Sequence, residues 1–486
     1  MNISEQGSQS TKTLNSWDVF VAGVALVVAA TTLVSDLTGY FTLGASFAAA
    51  IALAFIVNLF LGFSVADLGI TYPKAGGLYD YAKAIFRGRF GAFLGVFLGL
   101  TFFGMYALAA SGETAAGALG LQALFHSSLH VNVFIILLSV LAVIPNIFGL
   151  KAASWVNAGL LILMIGIRWM FGILGFLGLS STGQWSAANL ASEVSLWDWF
   201  GPSGILAGGL TLAFWSFVGI EFACSLVEEV QIPRRALPRG IISGLALILL
   251  TSLVMGFGIT GTQPLPVWQE LMVSEAACTG SCPQLAVGQA MFGNAGYTLM
   301  ALSSVAAAMG SLIVGYSTMP RVLYSIARDS NFFGPLSRPF SKLHPRYGTP
   351  IIATLFTLVL YVVPALHSSE VIQWLYSAAY VWILLYVVFH MLAIASRKFR
   401  PELPRAFTGA WFVPMATAGV ALTLVTLYYA FAGSHAEFGG RALVVILAAL
   451  AAAVVSLAIS PKEAVMPLET ANQGLVGAVR DQETNP

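Results

Sequence analysis

Residues 206–221 read LAGGLTLAFWSFVGIE. Continued to about residue 227, the run is long enough to cross a hydrocarbon core of about 30 Å as a helix. It nevertheless contains Ser216-Phe217-Val218-Gly219, which can interrupt a helix, and it closes on a carboxylate, Glu221. Non-helical backbone at membrane depth survives only where protein or a water-filled cavity surrounds it. This span is therefore expected to line a site rather than serve as an anchor.

Working outward, eleven other apolar runs accompany it, and the twelve fall near 19–42, 45–69, 90–111, 131–149, 153–178, 203–227, 240–261, 295–323, 350–366, 371–395, 409–432 and 441–459. Charges sit almost entirely in the gaps. The 486 residues are 58% hydrophobic and 9% charged, against about 25% charged in an ordinary soluble domain. An all-α polytopic membrane protein with about 12 transmembrane helices is the expected fold class. No polar stretch is long enough to fold alone. A formal net charge of +1 points to neither nucleic acid nor an acidic partner; the lipid bilayer is the expected surrounding. The opening MNISEQGSQSTKTLNSWD has no apolar h-region and no small-residue cleavage site, so the first span is read as the insertion signal.

Lys12, Lys74, Lys83, Arg87, Arg89, Lys151, Arg234, Arg235, Arg239, Arg321, Arg328, Arg338, Lys342, Arg346, Arg397, Lys398, Arg400, Arg405, Lys462 and Arg480 all fall on one side of a twelve-span topology. The opposite loops carry Trp185, Glu193, Trp197, Asp198, Glu270 and Glu275, with Arg441 as their cation. By the positive-inside rule both termini are expected in the cytoplasm. Cys278 and Cys282 then face outward, where they are either two loop thiols or a short disulfide.

Residues 21–36, VAGVALVVAATTLVSD, align without gaps on 206–221: each has Ala-Gly near its start and a carboxylate at its end, Asp36 and Glu221. They belong to the first and sixth spans, which open two five-span halves of opposite topology. Inverted repeats of this kind place substrate at the midplane, between helices broken there. The expected organisation is a tail at 1–18, a first repeat at 19–180, a second at 203–396, two peripheral spans at 409–460 and a tail at 461–486. Ser216–Gly219 supplies a break in the sixth span; Ala29-Ala30-Thr31-Thr32 is a poorer breaker in the first.

Three segments carry a family resemblance: Ala66-Asp67-Leu68-Gly69 with Tyr72-Pro73-Lys74-Ala75-Gly76-Gly77-Leu78-Tyr79; Phe214 through Glu221 with Glu228-Glu229 and Pro233-Arg234-Arg235; and Arg328-Asp329 leading to His344-Pro345-Arg346-Tyr347-Gly348-Thr349-Pro350. They resemble the amino acid, polyamine and organocation permeases, and lie at the ends of spans two, six and eight as in that family. The resemblance implies a 5+5 inverted repeat with broken first and sixth spans, two peripheral helices, and secondary transport by alternating access, coupled to protons or to counter-substrate. Relatives that bind amino acids usually carry a glycine-rich break in the first span, whose N–H groups hold the substrate carboxylate. Here Ala29, Ala30 and Thr31 align with it, leaving hydroxyls of Thr31, Thr32 and Ser35. Ser35-Asp36-Leu37-Thr38-Gly39-Tyr40-Phe41 is loosely similar to the first-span signature of ethanolamine-type permeases, which implies a substrate read mainly through its ammonium group.

Ionisable groups inside a membrane are costly and default to functional hypotheses. Glu221 is the candidate proton carrier, the alternative being a structural acid held by neighbouring backbone. Trp215 resembles the sixth-span aromatic that packs over substrate, or it is a core residue; Ser216 and Gly219 belong to the same break. Asp36 either pairs with a substrate amine or sits at the outer mouth of the first span, the reading favoured here. Arg168, inside LLILMIGIRWMFGILGF, is a fixed cation standing in for Na⁺, a partner of Asp36 or Glu113, or a residue snorkelling to the interface. Glu228, Glu229, Arg234 and Arg235 read as a gating or structural charge cluster, and Asp67 and His390 as satisfied structural groups. A membrane enzyme would need a catalytic set at one depth, and the six histidines are scattered; no Walker loop is present, which speaks against ATP-driven pumping. A nutrient sensor that keeps the permease fold without transporting usually adds a long soluble signalling segment, and the tails here are short. No cofactor and no metal site are expected, and oligomeric state is not legible.

Overall fold

The computed structural model describes residues 14–201, 204–329, 331, 334–368, 370–432 and 439–459. The tails expected at 1–18 and 461–486 lie outside these residues, apart from 14–18. Among the described residues the chain is helical, with sixteen α-helices: α1 Ser16–Val27, α2 Ala30–Leu43, α3 Ser46–Thr71, α4 Leu78–Phe86, α5 Gly88–Leu124, α6 Val131–Ile147, α7 Leu150–Phe176, α8 Ile205–Trp215, α9 Pro233–Thr260, α10 Leu265–Met272, α11 Pro283–Arg328, α12 Ser337–Phe340, α13 Ile351–His367, α14 Val371–Phe399, α15 Phe412–Ala432 and α16 Gly439–Ile459. A 3-10 helix, Ile220–Glu229, continues α8 after a four-residue turn.

Nine segments are long and apolar enough to cross a bilayer, α1 and α2 form a further span bent by 56°, and α6 and α13 are shorter apolar helices. Together they account for all twelve runs. Each helix keeps its backbone groups bonded within itself, which is why helices suit a medium without water. The chain is thus a polytopic all-α membrane protein.

One boundary differs from the sequence expectation, for a physical reason. The third span was expected to stop at residue 111, where Ser111-Gly112-Glu113-Thr114 interrupts the apolar run, but α5 continues to Leu124. Those polar residues are buried and find partners inside the bundle, so they do not end the helix. Within α11 the stretch from Pro283 is set off by non-helical backbone at Phe292–Gly293, where Gly293 has φ 59°, so the eighth span itself starts just beyond, near the expected residue 295.

The first and sixth spans cross antiparallel at the centre. α1 packs on the 3-10 helix and α2 packs on α8, while α5 and α11 cross beside them. α1 starts with a capping box, in which the Asn15 side chain accepts from the N–H groups of Trp17 and Asp18 and Asp18 accepts from the Asn15 N–H. Just before it, Leu14 donates its N–H to the Glu229 carbonyl and accepts from the Gln231 N–H, both at 2.9 Å. This clip ties the start of the first span to the end of the sixth. α7 and α9 approach at Gly172 and Gly258: a Cβ on Gly258 would meet the Gly172 backbone, and one on Gly172 the backbone of Val254; small residues permit such close crossing in a membrane.

On the opposite face Cys278 and Cys282 form a disulfide, with Cα atoms 5.3 Å apart. Of the two readings left open by the sequence, the disulfide is the one observed.

Candidate functional site

A helix end exposes N–H or C=O groups with no partner in the helix. The first span creates two such ends at Val28 and Ala29, and neither residue has a side chain able to cap them. α5 and α7 supply what is missing. The Ala30 N–H donates to Glu113 Oε2 at 3.0 Å, and the Thr31 N–H to Oε1 at 3.2 Å, with the Thr31 hydroxyl donating to the same oxygen. An anion there also meets the positive end of the α2 dipole. On the other side Arg168 Nη2 donates to the carbonyls of Val28 at 3.2 Å and Ala29 at 2.7 Å. The Thr32 hydroxyl donates to the Val27 carbonyl at 2.5 Å.

Glu113 is 2% exposed and Arg168 1%. Snorkelling is therefore excluded for Arg168. The guanidinium lies in the field of both Asp36 and Glu113, but its hydrogen bonds go to the broken backbone. It occupies carbonyl groups of the kind that coordinate Na⁺ in broken-helix transporters.

The sixth span breaks at Ser216–Gly219, as its sequence led us to expect. Gly219 has φ 116°, and a Cβ at this position would collide with Leu26, so only glycine fits. Glu221 folds back on the turn. Its Oε2 accepts from the Gly219 N–H at 3.2 Å and the Tyr386 hydroxyl at 2.7 Å, and its Oε1 from Trp382 Nε1 at 2.5 Å.

The two breaks are joined directly. Trp215 Nε1 donates to the Thr31 hydroxyl at 3.0 Å, and its ring meets Trp382 edge-on at 5.5 Å. An unbroken line of contacts therefore runs from Glu113 through Thr31, Trp215 and Trp382 to Glu221. Tyr106 and Phe222 flank Trp382 at 6.2 and 5.9 Å. Deeper in the same junction Ser216 donates to Asp36 Oδ1 at 2.5 Å, and Ser35 to the Leu212 carbonyl at 2.8 Å.

Asp36 and Glu113 are thus buried in the field of one buried guanidinium, and Glu221 is buried at the other end of the line of contacts. Were all four ionised, negative charge would be in excess in a medium where uncompensated charge is costly. Among the described residues no His, Cys, Asp and Glu side chains gather into a metal-ligand set.

Every candidate residue lies in this junction, with two corrections. Asp36 is not at the outer mouth: it is 3% exposed and bonded to the sixth span through Ser216. Ala29 and Ala30 do form a break despite lacking glycine, because the sealing groups come from other spans. The cluster at the end of the sixth span is also wired differently from expectation. Glu229 pairs with Arg321 at 3.1 Å and Glu228 lies 4.0 Å from Arg328, whereas Arg234 and Arg235 are exposed. Nearby, Lys83 and Asp329 pair at 2.7 Å. Asp67 and His390 meet the reading as satisfied structural groups only in part: Asp67 Oδ1 binds Arg397 and the N–H groups of Ala406 and Phe407, and His390 Nδ1 meets Ser64, while Asp67 Oδ2 and His390 Nε2 are buried without a hydrogen-bond partner.

Trp382 and Tyr386 were missed by sequence reasoning. Their i, i+4 spacing on α14 places them on one face, a signal available but common in any apolar helix. Glu113 was considered only as a partner for Arg168; that it caps α2 depends on a contact between residues 82 and 83 positions apart.

Comparison with known proteins agrees with this architecture. Cationic amino acid transporter 4 of Mus musculus is 26% identical over 368 residues, 71% of this chain and 53% of its own; the match thus spans about half of that relative. The branched-chain amino acid permease BcaP of Bacillus subtilis is 25% identical, covering 82% of this chain and 84% of its own. The serine/threonine exchanger SteT of the same organism is 25% identical, covering 65% and 67%. The family model described as amino acid permease matches residues 14–454. Running through both breaks and all the buried charges between them, that match makes the chain a member of the amino acid permease family.

Proposed function

We propose that this permease is a secondary active transporter of amino acids or related small amines, working by alternating access across the cytoplasmic membrane and driven by protons. The observation that carries the reading is the pair of broken spans, joined side chain to side chain at Thr31–Trp215 and Asp36–Ser216 around buried acids. Such a junction holds substrate between two units that can move against each other. The units are the halves 19–180 and 203–396, with 409–460 peripheral and both termini cytoplasmic.

Within this reading Glu221 carries the coupling proton. Its partners, Trp382 and Tyr386, stand on the tenth span and Gly219 on the sixth, so loss of the charge loosens contacts between those spans. Arg168 holds the carbonyl end of the first break permanently, which makes Na⁺ unnecessary there. The amino acids named for the relatives support amino acids as substrates; the amine reading draws support from the acid-rich centre. An exchange mechanism is the second reading, favoured by the similarity to a serine/threonine exchanger.

The test is uptake into proteoliposomes of a labelled panel of amino acids, ethanolamine and polyamines, with and without an inward proton gradient. Gradient-stimulated uptake that Glu221→Gln uncouples is the expected result. Uptake that ignores the gradient but rises when vesicles are preloaded with substrate would replace symport by exchange. Absence of both for every panel member would overturn the transporter reading.

A further inference from the structure

We infer that the transported species is an organic ammonium ion without a carboxylate, and that Glu113 enforces this choice. The inference rests on the transport reading above and narrows its substrate class.

A free helix N-terminus inside a membrane protein is a ready seat for an anionic group. In this chain the seat is already taken. The N–H groups of Ala30 and Thr31 and the Thr31 hydroxyl all point at the Glu113 carboxylate, which is 2% exposed. A substrate carboxylate would have to expel Glu113 or lie beside it. Expulsion would strand a buried charge, and a place beside it would bring two anions together beside one cation, Arg168, whose Nη2 is held by the carbonyls of Val28 and Ala29 and whose buried Nε has no protein partner. The side chains at 29–31 add a second obstacle, since they stand where bare glycines would let a ligand reach the backbone.

The same arrangement favours an ammonium group. A carboxylate can accept about four hydrogen bonds, and Glu113 receives three from Ala30 and Thr31, so acceptor capacity remains. Trp215 and Trp382 link Glu113 to Glu221, and the faces of aromatic rings attract cations. The seat for the ammonium group is this strip of two acids and two indoles. A cationic substrate also offsets the excess of Asp36, Glu113 and Glu221 over Arg168, which a zwitterion does not. Glu113 thus does for the helix end what the carboxylate of an amino acid would otherwise do, and leaves the amine as the part of the ligand to be recognised.

The experiment compares matched pairs that differ only by an α-carboxylate: ethanolamine with serine, agmatine with arginine, cadaverine with lysine. Competition binding to the purified full chain and uptake into proteoliposomes are both measured. For the pair that fits the site, the amine is expected to bind at least about tenfold tighter than its amino acid. Glu113→Gln should weaken the amine by about tenfold or more, and Glu113→Ala, which frees the N–H groups, should narrow the gap within the pair by a similar factor. If the wild-type chain binds and transports the amino acid of a pair as well as the amine or better, the inference is overturned and the transporter reading stands. If it neither binds nor transports any of the six, both fall. Should the Glu113 variants fail to fold, the wild-type ranking decides alone.

Discussion

At the sixth-span break the chain relies on what is local: Gly219 supplies the left-handed turn, and Glu221, two residues on, bends back to accept its N–H. At the first-span break the local contribution is the Thr32 hydroxyl on the Val27 carbonyl, and the free groups of Val28, Ala29, Ala30 and Thr31 are met by Arg168 and Glu113 from the fifth and third spans. One break is made by backbone chemistry and then decorated with Trp382 and Tyr386. The other exists only because charges elsewhere in the bundle hold it open. The first should therefore be sensitive to distant substitutions and tolerant of local ones, and the sixth the reverse.

The most severe test of that contrast is Arg168→Met. It strips a donor from two buried carbonyls and removes the cation in the field of Asp36 and Glu113, and breaking a buried charge arrangement by deleting one partner costs about 3–5 kcal/mol. Loss of uptake and a large drop in melting temperature of the purified protein are expected. A variant that melts and transports like wild type would show that the first break holds itself open.

Next in size is Gly219→Ala, where the added Cβ meets Leu26 and the backbone is strained at φ 116°, a cost of about 1–3 kcal/mol. Ala29→Gly is its counterpart in the first span and should change stability by no more than about 1 kcal/mol. Thermal unfolding of the two variants side by side measures the asymmetry; equal effects would erase it.

A double-mutant cycle on Thr31→Val and Trp382→Phe sharpens the comparison where the breaks meet. Thr31→Val removes two polar links in the line from Glu113 to Glu221 and Trp382→Phe removes one, at about 1–3 kcal/mol each, and residues in one network couple by about 0.5–3 kcal/mol. Strict additivity in substrate binding would mean that the two breaks act independently.

The smallest expected effect lies at the far end of the sixth span, where Glu228 accepts the Ala75 N–H at 3.1 Å near Asp80 of α4. Burial pushes the Asp80 carboxyl from its ordinary 3.8 up to about 6, with Lys74 and Arg328 opposing and Asp329 and Glu228 adding to the rise. Because the folded value lies above the unfolded one, this stabilisation is complete below the ordinary carboxylate range and is lost as pH rises through about 6. Melting temperature should decline across that window in wild type and decline less in Asp80→Asn; identical slopes would dismiss Asp80 as the source.

The difference between the breaks also explains what could be read in advance. Span count and class followed from apolar run length, because the bilayer imposes one length on every crossing. The sixth break was legible because Ser216–Gly219 carries its cause in four consecutive residues. The first was not, since Ala29 and Ala30 are good helix formers and the groups that interrupt the helix are scores of residues away. For the same reason α5 was cut short at residue 111: among the polar residues that ended the apolar window, Glu113 serves the neighbouring break, while Ser111 and Thr114 bond back to carbonyls of their own helix. Asp36 was placed at the mouth because an acid at the end of an apolar stretch is ambiguous until the partner, Ser216, is known.

The clip at Leu14 has a mechanical consequence. Because Leu14 is bonded through its backbone to both Glu229 and Gln231, the start of the first span and the end of the sixth hang from a common crossbar. A tilt of either span at this end would carry the other with it, leaving one degree of freedom where two separate hinges would have two. A probe attached beside this crossbar would report the stroke of both spans at once.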